Sequence, residues 1–198
     1  MAVRAGIGAD KWTVDLRGAY ASGDATPDDD HLTDFRFDRD YDVGFVLLDE
    51  VASAYDLAAY RQATDPSVTA HPPDGVDALA AEGAFHQAVA VQPVVAVRPE
   101  PWLALRGGAV AAWSTGPIAQ PYTTFRNGGV PTNALGTPSD GRYLGTELDL
   151  AVEIGRKPVD DRLTPSAQVQ VGHAWPSRAL ANGGPGIDAL LVTARAVY

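Results

Sequence analysis

Apolar and polar residues alternate with a period of two along most of this chain. In "RYLGTELDLAVEIGRK", Leu144, Thr146, Leu148, Leu150, Val152 and Ile154 share one face, while Tyr143, Gly145, Glu147, Asp149, Ala151, Glu153 and Gly155 share the other. The same spacing groups Trp12, Val14, Leu16, Gly18 and Tyr20 against Thr13, Asp15, Arg17, Ala19 and Ala21. It recurs with Phe85, Val89, Val91, Val95 and Val97, and with Leu103, Leu105, Gly107, Ala109, Ala111 and Trp113. Two more runs follow, Ala167, Val169, Val171, His173 and Trp175, then Leu190, Val192, Ala194, Ala196 and Tyr198. A period of two marks a strand with two unlike faces, so the pattern predicts an all-β chain. The runs extend over about 10 to 16 residues, where globular strands have a mode near 5 to 6. Tilted strands that cross a bilayer need about 9 to 11.

Connections sharpen this picture. "ADK" at Ala9, "PEP" at Pro99 and "PVDDR" at Pro158 read as short turns. Long loops lie between them, from Gly23 to about Tyr41, from Thr115 to Gly141 and from Ser177 to Gly186. Short and long connections therefore alternate, as they do in transmembrane barrels with tight turns at one rim and long loops at the other. Parity then requires residues 23–83 to hold no membrane strand or an even number. "YDVGFVLL" (Tyr41 to Leu48) and "AYDLAAYRQ" (Ala54 to Gln62) are read as a hairpin. Pro93, inside a strand, predicts a bulge or an interruption, because proline has no N–H for the ladder. Pro165 raises the same expectation near a strand start.

The expected fold is a transmembrane antiparallel up-and-down β-barrel, with residues 1–198 forming one domain of about seven to nine strands. "MAVRAGIGADKW" has no apolar h-region and no cleavage pattern. Together with a count of about nine strands, odd where single-chain bacterial barrels have even numbers, this reads as the C-terminal part of a larger barrel. The alternative is a complete barrel of eight strands, with 41–62 a loop and the first strand not counted.

Composition narrows the partners. The formal charge of −10 and the presence of only Lys11 and Lys157 as lysines argue against nucleic acid. There is no cysteine, so neither a disulfide nor a thiolate-held metal is possible. No apolar run reaches the length of a transmembrane helix, which leaves membrane strands untouched as a possibility, since they show lipid only every second residue.

Trp12, Tyr20, Phe85, Trp113, Trp175 and Tyr198 fall on apolar faces close to strand ends, the positions of interfacial aromatics. The opposite faces carry Asp15, Arg17, Arg98, Arg106, Glu147, Asp149, Glu153 and Arg195. Charges of both signs are costly in a packed core and stable in a watery lumen. These residues, Arg98 apart, are the candidates for a substrate path. The closing strand, with its apolar face ending on Tyr198, fits recognition by the machinery that inserts outer-membrane barrels.

Two segments resemble the alginate-export-type outer-membrane proteins and their uncharacterised relatives. "YASGDATPDDDHLTDFRFDRDYDV" is similar to the family's strand-end Ala-Ser-Gly-Asp followed by a loop leading to a Phe-containing motif. "GRYLGTELDLAVEIGRKPVDDRLTPSAQVQVGHAWPSRAL" is similar to its late hairpin. The resemblance implies a barrel that passes an anionic polysaccharide, or another polar solute, across a bacterial outer membrane. It carries the architecture over and not the cargo, because the inward arginines are balanced by Glu147, Asp149 and Glu153.

Catalytic chemistry is not expected. His31, His71, His86 and His173 show no metal-ligand spacing. Ser166 and His173 occupy opposite faces, so with Asp149 they do not form a hydrolytic set. Asp24, Asp28, Asp29 and Asp30 share one loop as weak Ca²⁺ candidates without EF-hand spacing. No cofactor is expected. The competing readings are a soluble β-barrel or sandwich that binds a ligand, a barrel enzyme, and a purely structural barrel.

Overall fold

The computed structural model describes residues 1–23, 35–38, 41, 43–44, 46–52, 54, 61, 65–69, 86–116, 118, 123, 126–130, 132–133, 136–138, 141–155, 164–181 and 187–197. Seven strands are present among them: β1 (Ala2–Ala9), β2 (Trp12–Tyr20), β3 (Ala88–Glu100), β4 (Leu103–Ser114), β5 (Tyr143–Gly155), β6 (Thr164–Pro176) and β7 (Ile187–Val197). They form one antiparallel up-and-down sheet in the order β1-β2-β3-β4-β5-β6-β7. Helical elements among the described residues include a π-helical turn at Leu47–Ala52, α1 at Pro66–Thr69 and α2 at Arg178–Ala181. The all-β expectation holds at this level. The sheet is not closed, and β1 and β7 are its two edges.

Register carries each sequence alternation across the whole sheet. Ile7 pairs with Val14, Val14 with Val95, Val95 with Gly107, Gly107 with Leu150, Leu150 with Val171 and Val171 with Leu190. A one-residue slip anywhere would flip a strand's faces, so this continuity keeps the apolar sets on one side. The exception is the start of β5, where the irregularity at Gly145 turns Leu144 into the core and leaves Tyr143 exposed in register with Trp113. The connections segregate by end. The short β1–β2 and β3–β4 turns lie at one rim, where β5 ends and β6 begins; β2, β4 and β6 end at the other, where β3, β5 and β7 begin.

Pro93 behaves as an interruption without a bulge. It pairs with Leu16 of β2, yet the β3–β4 ladder passes from Val91–Ala111 to Val94–Gly108 with its register unchanged. Pro165 is the second residue of β6 and pairs with Ala196. The register shifts occur elsewhere, between Val97 and Glu100 and between Ala112 and Trp113.

Of the hairpin expected over 41–48 and 54–62, the second arm lies outside the described residues apart from Ala54 and Arg61, and residues 47–52 of the segment are not a strand. β2 pairs directly with β3, so no strand is inserted between them. Instead the Val51 N–H donates to the Val46 carbonyl, five residues back, at 2.8 Å, which makes a π-helical turn. The reason lies in the spacing: Val43, Val46, Leu47 and Val51 recur at helical intervals and all four are buried. Val46, Leu47, Leu48 and Val51 pack with Ala19, Ala88, Ala90, Ala112 and Ala174 of the sheet and with Leu180 of α2. Alanines at those positions leave the depth that the larger side chains fill. Full burial of each valine or leucine contributes about 1.5–3 kcal/mol.

Candidate functional site

The sheet has one charged and one apolar face, and the packed core lies on the charged one, at the rim of long connections. Among the described residues, nothing covers the apolar face. Val3, Ile7, Leu16, Val95, Leu105, Leu148, Leu150, Ile154, Val171, Leu190 and Val192 are all exposed, with Leu150 at 63% and Leu190 at 68%. Aromatic residues bracket this face. Trp12 and Trp102 stand exposed at the short-turn rim, and Tyr20, Trp113, Tyr143 and Trp175 at the other. Trp113 and Tyr143 have their ring centroids 5.6 Å apart, which draws neighbouring strands into one aromatic row. Trp102 and Tyr143 were not singled out by the sequence alternation. Their signal was position alone, a strand end beside a turn. Phe85 and Tyr198 lie outside the described residues.

Three pairs of polar side chains lie on the charged face. Asp15 on β2 accepts from Arg4 on β1 at 2.8 Å, with Arg17 two residues further along β2. Arg106 on β4 donates to Glu153 on β5 at 2.9 Å, a pair in which both side chains are partly exposed. Gln168 and Gln170 on β6 bond to each other at 3.2 Å. Arg98 is exposed at the short-turn rim. Arg195 lies in register with Ser166. Arg106, Glu153, Gln168 and Gln170 thus form a polar cluster across three strands, towards the end that has short turns.

Glu147 sits in a different environment. It is fully buried, and its carboxylate accepts the Val46 N–H on Oε1 at 3.0 Å and the Leu47 N–H on Oε2. The strand holds the carboxylate in place, and the π-helical turn supplies the donors. Gly44 closes over it with φ +86°, where an added Cβ would stand 2.9 Å from Val110 Cγ2 and 3.0 Å from Glu147 Oε1. Asp149, the next residue on this face, has a buried Oδ1 with no hydrogen-bond partner. So the substrate-path candidates divide into two groups. Asp15, Arg17, Arg106 and Glu153 are spread over the accessible charged surface, while Glu147 lies beneath the turn with Asp149 next along the face.

Other connections also fold onto this rim. Asn133 is buried, donates to the Arg178 carbonyl at 3.0 Å and accepts the Thr137 N–H at 3.0 Å. Thr115 donates to the Ala21 carbonyl at 2.8 Å. Ile118 packs against the core cluster.

His173 lies on the apolar face, with its Nδ1 against Asp188 and its ring 4.2 Å from that of Trp175. Ser166 is in register with Gly155 and Arg195, on the other face. Among the described residues, no three His, Asp or Glu side chains converge to hold a metal ion. Asp24, Asp28, Asp29 and Asp30 lie outside the described residues. No helix among the described residues is long and apolar enough to cross a membrane, which says nothing of strands. Compared with protein-family models, curated proteins and solved structures, the chain gives no match.

Proposed function

We propose that this sheet is part of a transmembrane β-barrel in a bacterial outer membrane, acting as a channel or exporter for a polar solute or polysaccharide. The exposed apolar face carries this reading. Seven strands at about 4.8 Å spacing and about 30 Å length present a face of about 1,000 Å². The largest apolar patch on a soluble monomer is about 300–600 Å². Leaving about 1,000 Å² in water forgoes on the order of 25 kcal/mol at about 25 cal/mol per Å². Lipid removes that cost, and the two aromatic rows match the two edges of a hydrocarbon layer. A soluble barrel or sandwich arranges its faces the other way, with the large apolar side chains packed and the charges in water.

Closure follows from direction. With seven strands, β1 and β7 run the same way, so they do not pair antiparallel. An all-antiparallel barrel needs an odd number of further strands between them, which suits a sheet that is one part of a larger barrel. Its charged face then lines the lumen, and the path runs past Asp15, Arg17, Arg106 and Glu153.

Fractionation tests the membrane assignment. The intact protein should sediment with outer membranes and need detergent for release; recovery in the aqueous phase without detergent would sink the reading. Ion selectivity tests the path. Arg106→Gln should leave stability within about 1 kcal/mol, since exposed ion pairs contribute no more than that. It should also shift the reversal potential of the reconstituted channel toward cation preference. An unchanged potential would remove Arg106 from the lumen.

A further inference from the structure

We infer that residues 46–52 form the size-limiting constriction of this pathway and that Glu147 is the residue that positions them. The inference rests on the channel reading, and three observations on the charged face lead to it.

The first is place. The π-helical turn packs on β5 and β6 from the charged side, at the rim of long connections. In a barrel whose charged face lines the lumen, a segment there occupies cross-section that a solute would use. The second is the anchor. Both Glu147 oxygens are taken up by main-chain donors of the turn, at zero exposure. A buried carboxylate is costly unless its acceptor capacity is met. An apolar residue would cover the alanines as well, but it would not fix the direction of a chain segment. Two charge-assisted bonds from consecutive N–H groups do fix it. The third is the fit. Gly44 has no room for a side chain against Val110 and Glu147, and Gly145 has none against Leu47 and the Trp175 carbonyl. The Gly44 backbone thus lies against the Glu147 carboxylate and the Val110 side chain, and the Leu47 side chain of the turn lies against the Gly145 backbone.

This arrangement limits solute size by geometry rather than by charge. The charges that meet the solute lie further along the lumen, at Arg106 and Glu153. Selectivity by size and selectivity by sign thus belong to different residues.

The test uses the intact protein in bilayers, with Glu147→Ala, Glu147→Gln, Glu153→Gln and a replacement of residues 46–52 by a Gly-Ser linker. The chain has no cysteine, so Val46→Cys gives an independent reporter of whether the turn is seated. In the Glu147→Ala background, thiol labelling at position 46 should rise about tenfold as the segment opens locally. Conductance should rise about twofold or more, and larger neutral sugars should enter vesicles, as in the linker variant. Glu147→Gln keeps one acceptor oxygen and should fall between. Glu153→Gln should leave labelling at position 46 unchanged, because Glu153 pairs with Arg106 and not with the turn. Unchanged labelling in Glu147→Ala overturns the anchor. Faster labelling with an unchanged cut-off overturns the constriction while leaving the channel intact. No conductance in any variant, the linker included, overturns the channel reading itself and the constriction with it.

Discussion

Leu150→Arg is expected to destabilise the protein in bilayer vesicles by about 2–4 kcal/mol, the cost of a cation at the midplane of a lipid-facing strand. Leu150 lies in the middle of β5, in register with Gly107 and Val171, and at 63% exposure it has no packing to lose. That last point gives the substitution its force. On a soluble sheet, a change at so open a position is worth about 0.5 kcal/mol or less, and arginine would be welcome. The large cost arises only if the surrounding medium is hydrocarbon. Ala151→Arg, one residue on and facing the charged side beside Arg106 and Gln170, serves as the control and should cost far less. Urea unfolding of the three proteins in the same vesicles reads the difference. Equal small effects at 150 and 151 would place both faces in water.

Gly145→Ala is expected to be the most damaging of the glycine-to-alanine changes in the sheet. Gly145 has φ +150° beside the irregularity in the β4–β5 ladder, and its Cβ would stand 2.5 Å from the Trp175 carbonyl and 3.1 Å from Pro176 Cα. Those are backbone atoms of the neighbouring strand, so relief requires the ladder itself to move. Strain of this kind costs about 1–3 kcal/mol before any clash is counted. The same substitution at Gly18, where the nearest atom is the Ala90 carbonyl at 3.8 Å, should stay within about 0.5 kcal/mol of the parent. Because Gly145 also touches Leu47, the alanine should disturb the seat of the π-helical turn, visible as faster labelling of Val46→Cys. A Gly145→Ala protein as stable as Gly18→Ala would mean that the irregularity is not needed.

Strand content was legible because period-two alternation ran unbroken through β2, β4, β5 and β6, and register follows once one face is wholly apolar. Pro93 was legible as a local defect but not as to its kind. The ladder skips it without shifting, because only its missing N–H had to be accommodated. The alternation did not give the π-helical turn at Leu47–Ala52. A short apolar run such as "VGFVLL" fits a strand and a buried turn equally well. The arbiter was the helical spacing of Val43, Val46, Leu47 and Val51, together with alanines on the far side. Ala19, Ala88, Ala90, Ala112 and Ala174 sit on the face that otherwise bears charge, and a row of small residues there marks where something else must fit.

Glu147 was legible as an inward acid and not as an anchor. Alternation places a side chain on a face, but it gives no account of what a connection a hundred residues away folds back onto that face. Only the hydrogen bonds to Val46 and Leu47 separate it from Glu153, six residues on, which pairs with Arg106 in the open.

In the proposed barrel the apolar face meets lipid and the charged face meets water. Single cysteines along β5 test it most directly, at Leu148, Leu150, Val152 and Ile154 on one face and at Ala151 and Glu153 on the other, in membrane-inserted protein. The account predicts that a membrane-impermeant thiol reagent labels 151 and 153 and spares 148, 150, 152 and 154, despite the exposure of those four side chains in the isolated sheet. Rapid labelling at 148, 150, 152 and 154 would contradict it and return the sheet to water.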